Sequence, residues 1–325
     1  MIITRSPLRI SIGGGGTDLS SYYKENEGFL ISAAIDKYVY VTITKPFKPG
    51  IYLKYSKIEN VNSIEEVNHP IIREGLKYFE KNNSQIEITT LADIPSGTGL
   101  GSSSSFTTAL VKGLSYYNKE ILHAEEIARL SCDIEINKLK EPIGKQDQYI
   151  AAYGGITSFT FCKNEEVKVE KLNISDDTMY DLEDNLLLFF TGYTRSAGSI
   201  LKNQKDKSES KNADMITNLH NVKKMGYRIK NVLELGKTSV FGEILHEHWE
   251  NKKKRSGGMS NPRIDKWYNI ALKNGAIGGK LVGAGGGGFL LFYANDRNKL
   301  RHCMKKEGLE EVRFNFDYEG TKVVL

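Results

Sequence analysis

The sequence predicts a mixed fold, α+β or α/β, built in two parts. Strand-type alternation and helix-type spacing occur in both halves of the chain, and 325 residues exceed the length of a typical single domain. No tandem repeat suggests a solenoid. Hydrophobic residues make up 39% and charged residues 26%, an ordinary globular mix.

The elements follow in order. Residues 8–12 alternate, with Leu8, Ile10 and Ile12 facing one way and Arg9 and Ser11 the other. A second alternating run holds Val39, Val41 and Ile43, and a third holds Ile86 and Ile88 and runs towards Pro95. Residues 70–82 read as a short helix. Beyond a run of serines, Phe106, Leu110, Leu114 and Tyr117 recur at helical spacing, and a further helix covers about residues 123–140. The apolar run from Leu186 to Phe190 is a buried strand. Met215, Leu219, Val222, Ile229 and Leu233 mark a long amphipathic helix; His246 to Lys254 lie in the next, and Ile264 to Leu272 in another. The tail reads as a strand near Leu281, a strand from Phe289 to Tyr293, a helix over 297–307, a strand from Val312 to Phe316 and a last strand from Lys322 to Leu325. The charged stretch from Lys202 to Lys211 is a solvated helix face or loop.

The net charge of +5 is spread along the chain. A nucleic-acid binder would concentrate it on one face, so the surplus fits anionic small substrates. Cys132, Cys162 and Cys303 are odd in number and lack metal-clip spacing, which predicts buried, reduced thiols in a cytoplasmic protein. The N-terminus reads as a strand and not as a signal peptide, and no apolar run approaches the ~18 residues that span a bilayer. The six histidines form no nucleophile or metal constellation; His246 and His248 are two apart on a helix and do not share a face.

Three glycine clusters carry the chemistry. Gly13 to Gly16, followed by Thr17 and Asp18, comes straight after a strand. Such glycines permit positive φ and close approach of backbone to a ligand, although a plain glycine-rich turn needs none. Arg9 and Asp18 bracket it and favour a polar site. The second cluster runs Pro95-Ser96-Gly97-Thr98-Gly99-Leu100-Gly101-Ser102-Ser103-Ser104-Ser105 between a strand and a helix. Bare backbone N–H groups at a helix N-terminus make a phosphate cradle. The Walker pattern is absent, and Ser102 stands where a dinucleotide fingerprint needs its third glycine or an alanine. One serine would cap the helix; four in a row suggest phosphate or metal ligation. The third cluster, Gly283 to Gly288 with Ala284, exceeds what a hairpin needs and suggests a loop pressed against a ligand or another loop. Two carboxylates stand out. Glu135 shares a helix face with Ala128, Cys132 and Leu139, so it needs a partner, either a cation or a nearby Arg or Lys. Asp147 is either a helix-start residue or a base.

In order and spacing these segments resemble the motifs of the GHMP kinases (galactokinase, homoserine kinase, mevalonate kinase and phosphomevalonate kinase). Pro7 to Asp18 is similar to the galactokinase first motif, Pro95 to Ser105 to the ATP-phosphate loop, Lys280 to Phe289 to the third motif, and Gly144 to Gln148 to the segment with the catalytic aspartate. The resemblance covers nearly the whole chain. It implies an α+β, two-domain kinase fold, with a ribosomal protein S5 domain 2-like part over 1–172 and a ferredoxin-like part over 173–325. It further implies ATP and Mg²⁺. Asp147 matches the aspartate that takes or attracts the acceptor's proton, and Arg9 the arginine beside that hydroxyl. Pro95, Gly97, Thr98, Gly99, Leu100, Gly101, Ser102, Ser103 and Ser104 match the nucleotide loop, Ser103 and Glu135 the magnesium ligands. Gly15, Gly16, Thr17, Asp18, Tyr193, Arg195, Gly285 and Gly286 fall where the sugar would lie. Galactokinase has Glu-His in place of Gly15-Gly16, which argues against galactose.

The chain is most similar to the bacterial D-glycero-D-manno-heptose 7-phosphate kinase group, in the glycine run before Thr17-Asp18, in Ala34 to Val39, in Thr191 to Ser196 and in Lys280 to Phe289. That group phosphorylates the anomeric hydroxyl to give a 1,7-bisphosphate for GDP-heptose and surface polysaccharide. Fucokinase-type domains are the nearest rival, and an inactive sugar/ATP sensor the alternative from another class. The implied partner is a small phosphorylated sugar, with no nucleic acid and no membrane, bound by a monomer or homodimer. Arg195, Lys202 and the run Lys252 to Arg255 are candidates for holding its phosphate.

Overall fold

The alternation around Arg9 belongs to a longer strand, β1 (Ile2–Gly13), in the computed structural model, which describes residues 1–79, 85–193, 198–210, 212–255 and 257–325. There follow α1 (Ser20–Asn26), β2 (Gly28–Thr44), β3 (Gly50–Lys54), β4 (Ile58–Val61), α2 (Pro70–Tyr78), β5 (Gln85–Ala92), α3 (Ser102–Tyr117), α4 (Ala124–Cys132), α5 (Gln146–Tyr153), β6 (Ile156–Phe161) and β7 (Val167–Lys171). The second half holds α6 (Asp176–Asn185), β8 (Leu186–Phe190), α7 (Gly198–Glu209), α8 (Ala213–Glu234), α9 (Thr238–Lys253), α10 (Pro262–Lys273), β9 (Ala276–Leu281), β10 (Phe289–Ala294), α11 (Arg297–Lys306), β11 (Glu310–Glu311) and β12 (Lys322–Val323).

Among the described residues one sheet runs β12-β1-β2-β5-β3-β4, with β6 on the first half of β2 and β7 beyond it. β2 is long enough to pair with β6 through Gly28–Ala33 and with β5 through Val39–Thr44. Only its second half alternates in sequence. Residues 28–35 are buried throughout, so that half has no polar phase to show. Val41, Ile43, Ile86 and Ile88 pack with Ile72, Leu76, Leu110, Leu114 and Ile127 of the covering helices.

The second sheet is antiparallel with order β11-β8-β10-β9. Counted from β8 the path is strand, helices, strand, strand, helix, strand, which is the ferredoxin-like arrangement. Alternate residues of its strands serve two cores. Leu187, Phe189, Leu290 and Phe292 meet Trp249, Trp267 and Leu300, while Leu186, Leu188, Phe289 and Leu291 join Leu8, Ile10 and Ile12. Both faces are apolar, which is why Leu186 to Phe190 reads as an unbroken run. The shared core holds the two sheets together and sets β1 beside the second half.

Several expectations change in detail. The helix expected to about residue 140 is α4 followed by a wider turn over Asp133–Lys138, where Leu139 N–H donates to Ile134 C=O, five residues back. The strand expected from Val312 to Phe316 is not continuous. Val312 N–H donates to Leu188 of the second sheet, and Phe316 bridges to Ile35 of the first, so the segment crosses between sheets. Lys202 to Ser210 lie in and just after α7. The three cysteines are free, but only Cys132 is buried; Cys162 and Cys303 are partly exposed. Among the described residues no helix is long and apolar enough to cross a membrane.

Candidate active site

The turn after β1 takes positive φ at Gly14 (79°) and Gly16 (100°). A Cβ on Gly14 would fall 2.2 Å from the Phe29 carbonyl, so the turn lies backbone-to-backbone on β2. Thr17 secures this contact. Its buried hydroxyl lies 2.9 Å from the Gly14 carbonyl and 2.8 Å from that of Phe29, and does not line the cavity. Asp18 does. Its carboxylate accepts from Gly16 N–H (3.1 Å) and Gln146 N–H (3.1 Å). Burial, with the Asp147 charge adding, raises the Asp18 carboxyl above its usual range.

The second glycine loop leads from β5 into α3. Gly97, Gly99 and Gly101 are all left-handed (79°, 86° and 79°), and Gly101 is the N-cap of α3. The first helical N–H groups have no partners within the helix and open onto the cavity with Ser102, Ser103 and Ser104. The intervening residues hold the loop. Pro95 is exposed, Thr98 is buried with its hydroxyl on the Pro95 carbonyl (3.1 Å), and Leu100 is fully buried in the shared core. Ser105 fastens α3 to β1 through the Pro7 carbonyl (2.7 Å).

The third loop presses on the second. A Cβ on Gly283 would lie 2.7 Å from Gly99 Cα, and one on Gly288 would lie 2.2 Å from the Thr98 carbonyl. Of the two readings open from sequence, contact with another loop is the one observed. Gly285 lines the cavity, whereas Gly286 donates its N–H to the Met259 carbonyl (3.0 Å). Because Gly283 is also left-handed (84°), Gly283→Ala must strain the backbone and push the loops apart. If this is the nucleotide loop that the resemblance implies, the KM for ATP should rise about tenfold, from a strain of about 1–2 kcal/mol. An unchanged KM in steady-state assays would show that the contact does not shape the nucleotide loop.

Asp147 stands in the first turn of α5, 26% exposed at its side chain, and touches the loop: a Cβ on Gly101 would be 3.3 Å from its Oδ2. Arg9 grips it with two bonds, Nε to Oδ1 (2.8 Å) and an NH2 group to Oδ2 (2.7 Å), and donates a third to the Gly99 carbonyl (2.6 Å). Glu135 sits on the wide turn after α4 and is 1% exposed. It accepts from Ser103 Oγ (2.9 Å) and Gln148 Nε2 (2.6 Å), both neutral, and among the described residues no Arg or Lys pairs with it. Burial raises its carboxyl, while hydrogen bonds from Ser104, Gln148 and Ser103 oppose the shift.

The facing wall is cationic. Of the run Lys252 to Arg255, Lys252 and Arg255 line the cavity; Lys253 pairs with Glu250 (2.8 Å) and Lys254 is exposed. Lys252 donates to the Leu281 (3.0 Å) and Gly283 carbonyls and so steadies the third loop. Lys280 and His248 complete the wall and were not anticipated. A lysine inside the apolar strand Ala276–Leu281 is the signal that marked Lys280. Burial, then the charges of Arg255 and Arg9, depress Lys280 to about 7; burial lowers Arg255 to about 10. Tyr193 lies outside, accepting from Gly288 N–H (2.9 Å) and from Arg263 (3.3 Å). Lys202 is exposed, although Leu201 and Gln204 of the same helix reach the cavity. Arg195 falls outside the described residues.

These groups enclose about 450 Å³, room for small-molecule phosphates. Residues 70–155 match the GHMP kinases N terminal domain, and residues 222–309 the GHMP kinases C terminal region. The chain is 31% identical to a D-glycero-alpha-D-manno-heptose 7-phosphate kinase of Campylobacter jejuni, over 99% of this chain and 98% of that one. It is 28% identical to a bifunctional fucokinase/GDP-fucose pyrophosphorylase of Arabidopsis thaliana, over 94% of this chain and 31% of that one. The crystal structure of a D-glycero-D-manno-heptose 1-phosphate kinase from Bacteroides thetaiotaomicron superposes with a TM-score of 0.79 at 25% identity, covering 100% of this chain and 99% of that one. With both halves matched and a relative aligned from end to end, this chain belongs to the GHMP kinase family.

Proposed function

We propose that the protein moves the γ-phosphate of ATP onto the anomeric hydroxyl of D-glycero-D-manno-heptose 7-phosphate, giving the 1,7-bisphosphate. One observation carries the kinase chemistry: the Arg9–Asp147 pair touches the glycine loop at the start of α3, so a proton acceptor and a phosphate cradle share one cavity. The likeness to the Campylobacter jejuni enzyme supports the choice of sugar.

Phosphoryl transfer needs positioning and charge neutralisation more than covalent help. The loop from Gly97 to Ser104 would hold the β- and γ-phosphates with backbone N–H groups. Ser103 and Glu135 fit Mg²⁺, since they offer hard oxygen donors and Glu135 is a buried carboxylate that no Arg or Lys pairs with among the described residues. Among the described residues no group of three His, Cys, Asp or Glu could hold a metal, so nucleotide oxygens would complete the set. When bound, the ion neutralises the phosphate chain. Asp147 takes the proton of the acceptor hydroxyl as its oxygen bonds to the γ-phosphorus and the bond to ADP breaks; solvent later receives that proton. Arg9 fixes the carboxylate for this task. Asp18 and Gly16 would bind sugar hydroxyls. We place the boundary between the two domains after residue 172, and the protein in the cytoplasm.

A coupled ADP-release assay on heptose 7-phosphate, fucose, mannose, galactose and mevalonate tests the assignment. We expect kcat/KM to favour the heptose phosphate by about 100-fold. A preference for fucose would replace the acceptor, and no turnover on any of them would leave a binding protein.

A further inference from the structure

The transfer scheme makes no use of three groups buried in the cationic wall. Lys280 on β9, Arg255 just beyond α9 and His248 on α9 are 2%, 6% and 1% exposed, and all line the cavity. A buried cation needs hydrogen bonds and a counter-charge, and here both are incomplete. Among the described residues, Lys280 reaches the Ile12 carbonyl at 3.4 Å, and none of the three forms an ion pair with a carboxylate. Among the described residues, one terminal NH2 of Arg255 and both ring nitrogens of His248 have no hydrogen-bond partner. Arg255 is nevertheless held in place. Its Nε donates to Asn218 Oδ1 (3.0 Å), and NH1 donates to the Gly15 carbonyl (3.1 Å). A Cβ on Gly16 would come within 2.7 Å of NH1, so Gly16 makes room for this guanidinium.

We propose that Lys280 and Arg255, with His248 beside them, form an oxyanion subsite for the phosphate that the acceptor already carries, while the transferred phosphate stays on the glycine loop of the other half. The inference rests on the proposed transfer to a phosphorylated sugar. Asp18 attracts Arg255 without pairing with it; a bound phosphate supplies a counter-charge in direct contact and accepts the unused N–H groups. Lys252, whose amine is committed to the Leu281 and Gly283 carbonyls, positions the wall. Gly16 gains a purpose: it admits an arginine from the second half into the acceptor end of the cavity, where the Gly15 carbonyl holds it.

Steady-state kinetics on heptose 7-phosphate and on the same heptose without its phosphate test this, using wild type, Lys280→Met, Arg255→Met and the charge-keeping Lys280→Arg. Both methionine variants should raise KM for the phosphorylated acceptor by about 30-fold, leave KM for ATP within about threefold, and shrink the preference over the plain sugar. Lys280→Arg should recover part of the loss. Equal losses on both acceptors, or a shift confined to KM for ATP, would overturn the subsite. Calorimetric titration with inorganic phosphate gives an answer independent of turnover and of unfolding, read alongside each variant's melting temperature. Wild type should bind phosphate at millimolar concentration and folded Arg255→Met should not. Absence of binding to wild type overturns the proposal. Failure of every sugar to turn over, with phosphate still bound, would sink the acceptor assignment and keep the subsite.

Discussion

Asp147→Asn is expected to lower kcat by about a thousandfold while ATP binds as before. The carboxylate is within reach of the glycine loop, and both its oxygens are already oriented by Arg9. General-base assistance contributes typically 10²–10⁴-fold, and an amide can neither take the proton nor carry the negative charge that attracts it. Asparagine has nearly the same shape, so the cavity should keep its form. One Arg9 bond would be lost, because the amide NH2 faces a guanidinium that only donates. The Arg9 bond to the Gly99 carbonyl does not depend on the substituted side chain, so the cradle should keep its shape. Parallel measurements of kcat and of ATP affinity by calorimetry decide the matter. A kcat within about tenfold of wild type would remove Asp147 from the chemistry.

Glu135→Gln is the second large effect, with an expected loss of about 100-fold in kcat/KM and a raised Mg²⁺ requirement. The glutamate is buried, and the side chains that hydrogen-bond to it, Ser103, Ser104 and Gln148, are all neutral. A glutamine can keep the contacts with Gln148 and Ser103, since its carbonyl accepts from Gln148 and its NH2 donates to Ser103 Oγ. The fold should survive and the charge that attracts a divalent cation should not. Because the folded carboxyl titrates above its ordinary value, the native state binds more protons than the unfolded chain through the window just above 4.5. The carboxylate's stability cost is absent below that window and complete above it. At neutral pH the glutamine variant should therefore melt no lower than wild type, with the difference shrinking as pH falls through the window. Electron paramagnetic resonance with Mn²⁺ and ADP provides the metal readout. Unaltered Mn²⁺ affinity would exclude Glu135 as a ligand.

Much of the site can be seen before the chain is folded. Alternation at residues 8–12 places Arg9 opposite Leu8 and Ile10, and the structure has Arg9 at the cavity and the two apolar residues in the shared core. The three glycine clusters announce tight turns, and positive φ at Gly16, Gly99 and Gly283 shows why glycine stands there. Periodicity alone could not name the partner of Glu135, since its helical face indicated only that one was required; it is the family resemblance that sets Ser103 beside it as a fellow magnesium ligand. Ser103 lies 32 residues away and meets it through the packing of α3 against the turn after α4. Thr17 and Leu100, in the middle of the loops that bear chemistry, turn out to support them from beneath. Their side chains point into packed backbone and core, which a linear pattern of small residues cannot distinguish from a ligand-facing position.

Taken alone, the sequence determined what each short stretch can do: which face of β1 is polar, where the backbone can bend through left-handed φ, and which helix starts with bare N–H groups. Such properties depend on neighbours within a few residues, so local periodicity and residue type report them. The tertiary structure decided which capacities meet. Arg9 and Asp147 are 138 positions apart, and Arg255 reaches the Gly15 carbonyl across 240. Those encounters follow from two sheets burying their apolar faces in one core, a global condition that fixes the juxtaposition of polar faces without leaving a pattern in either stretch.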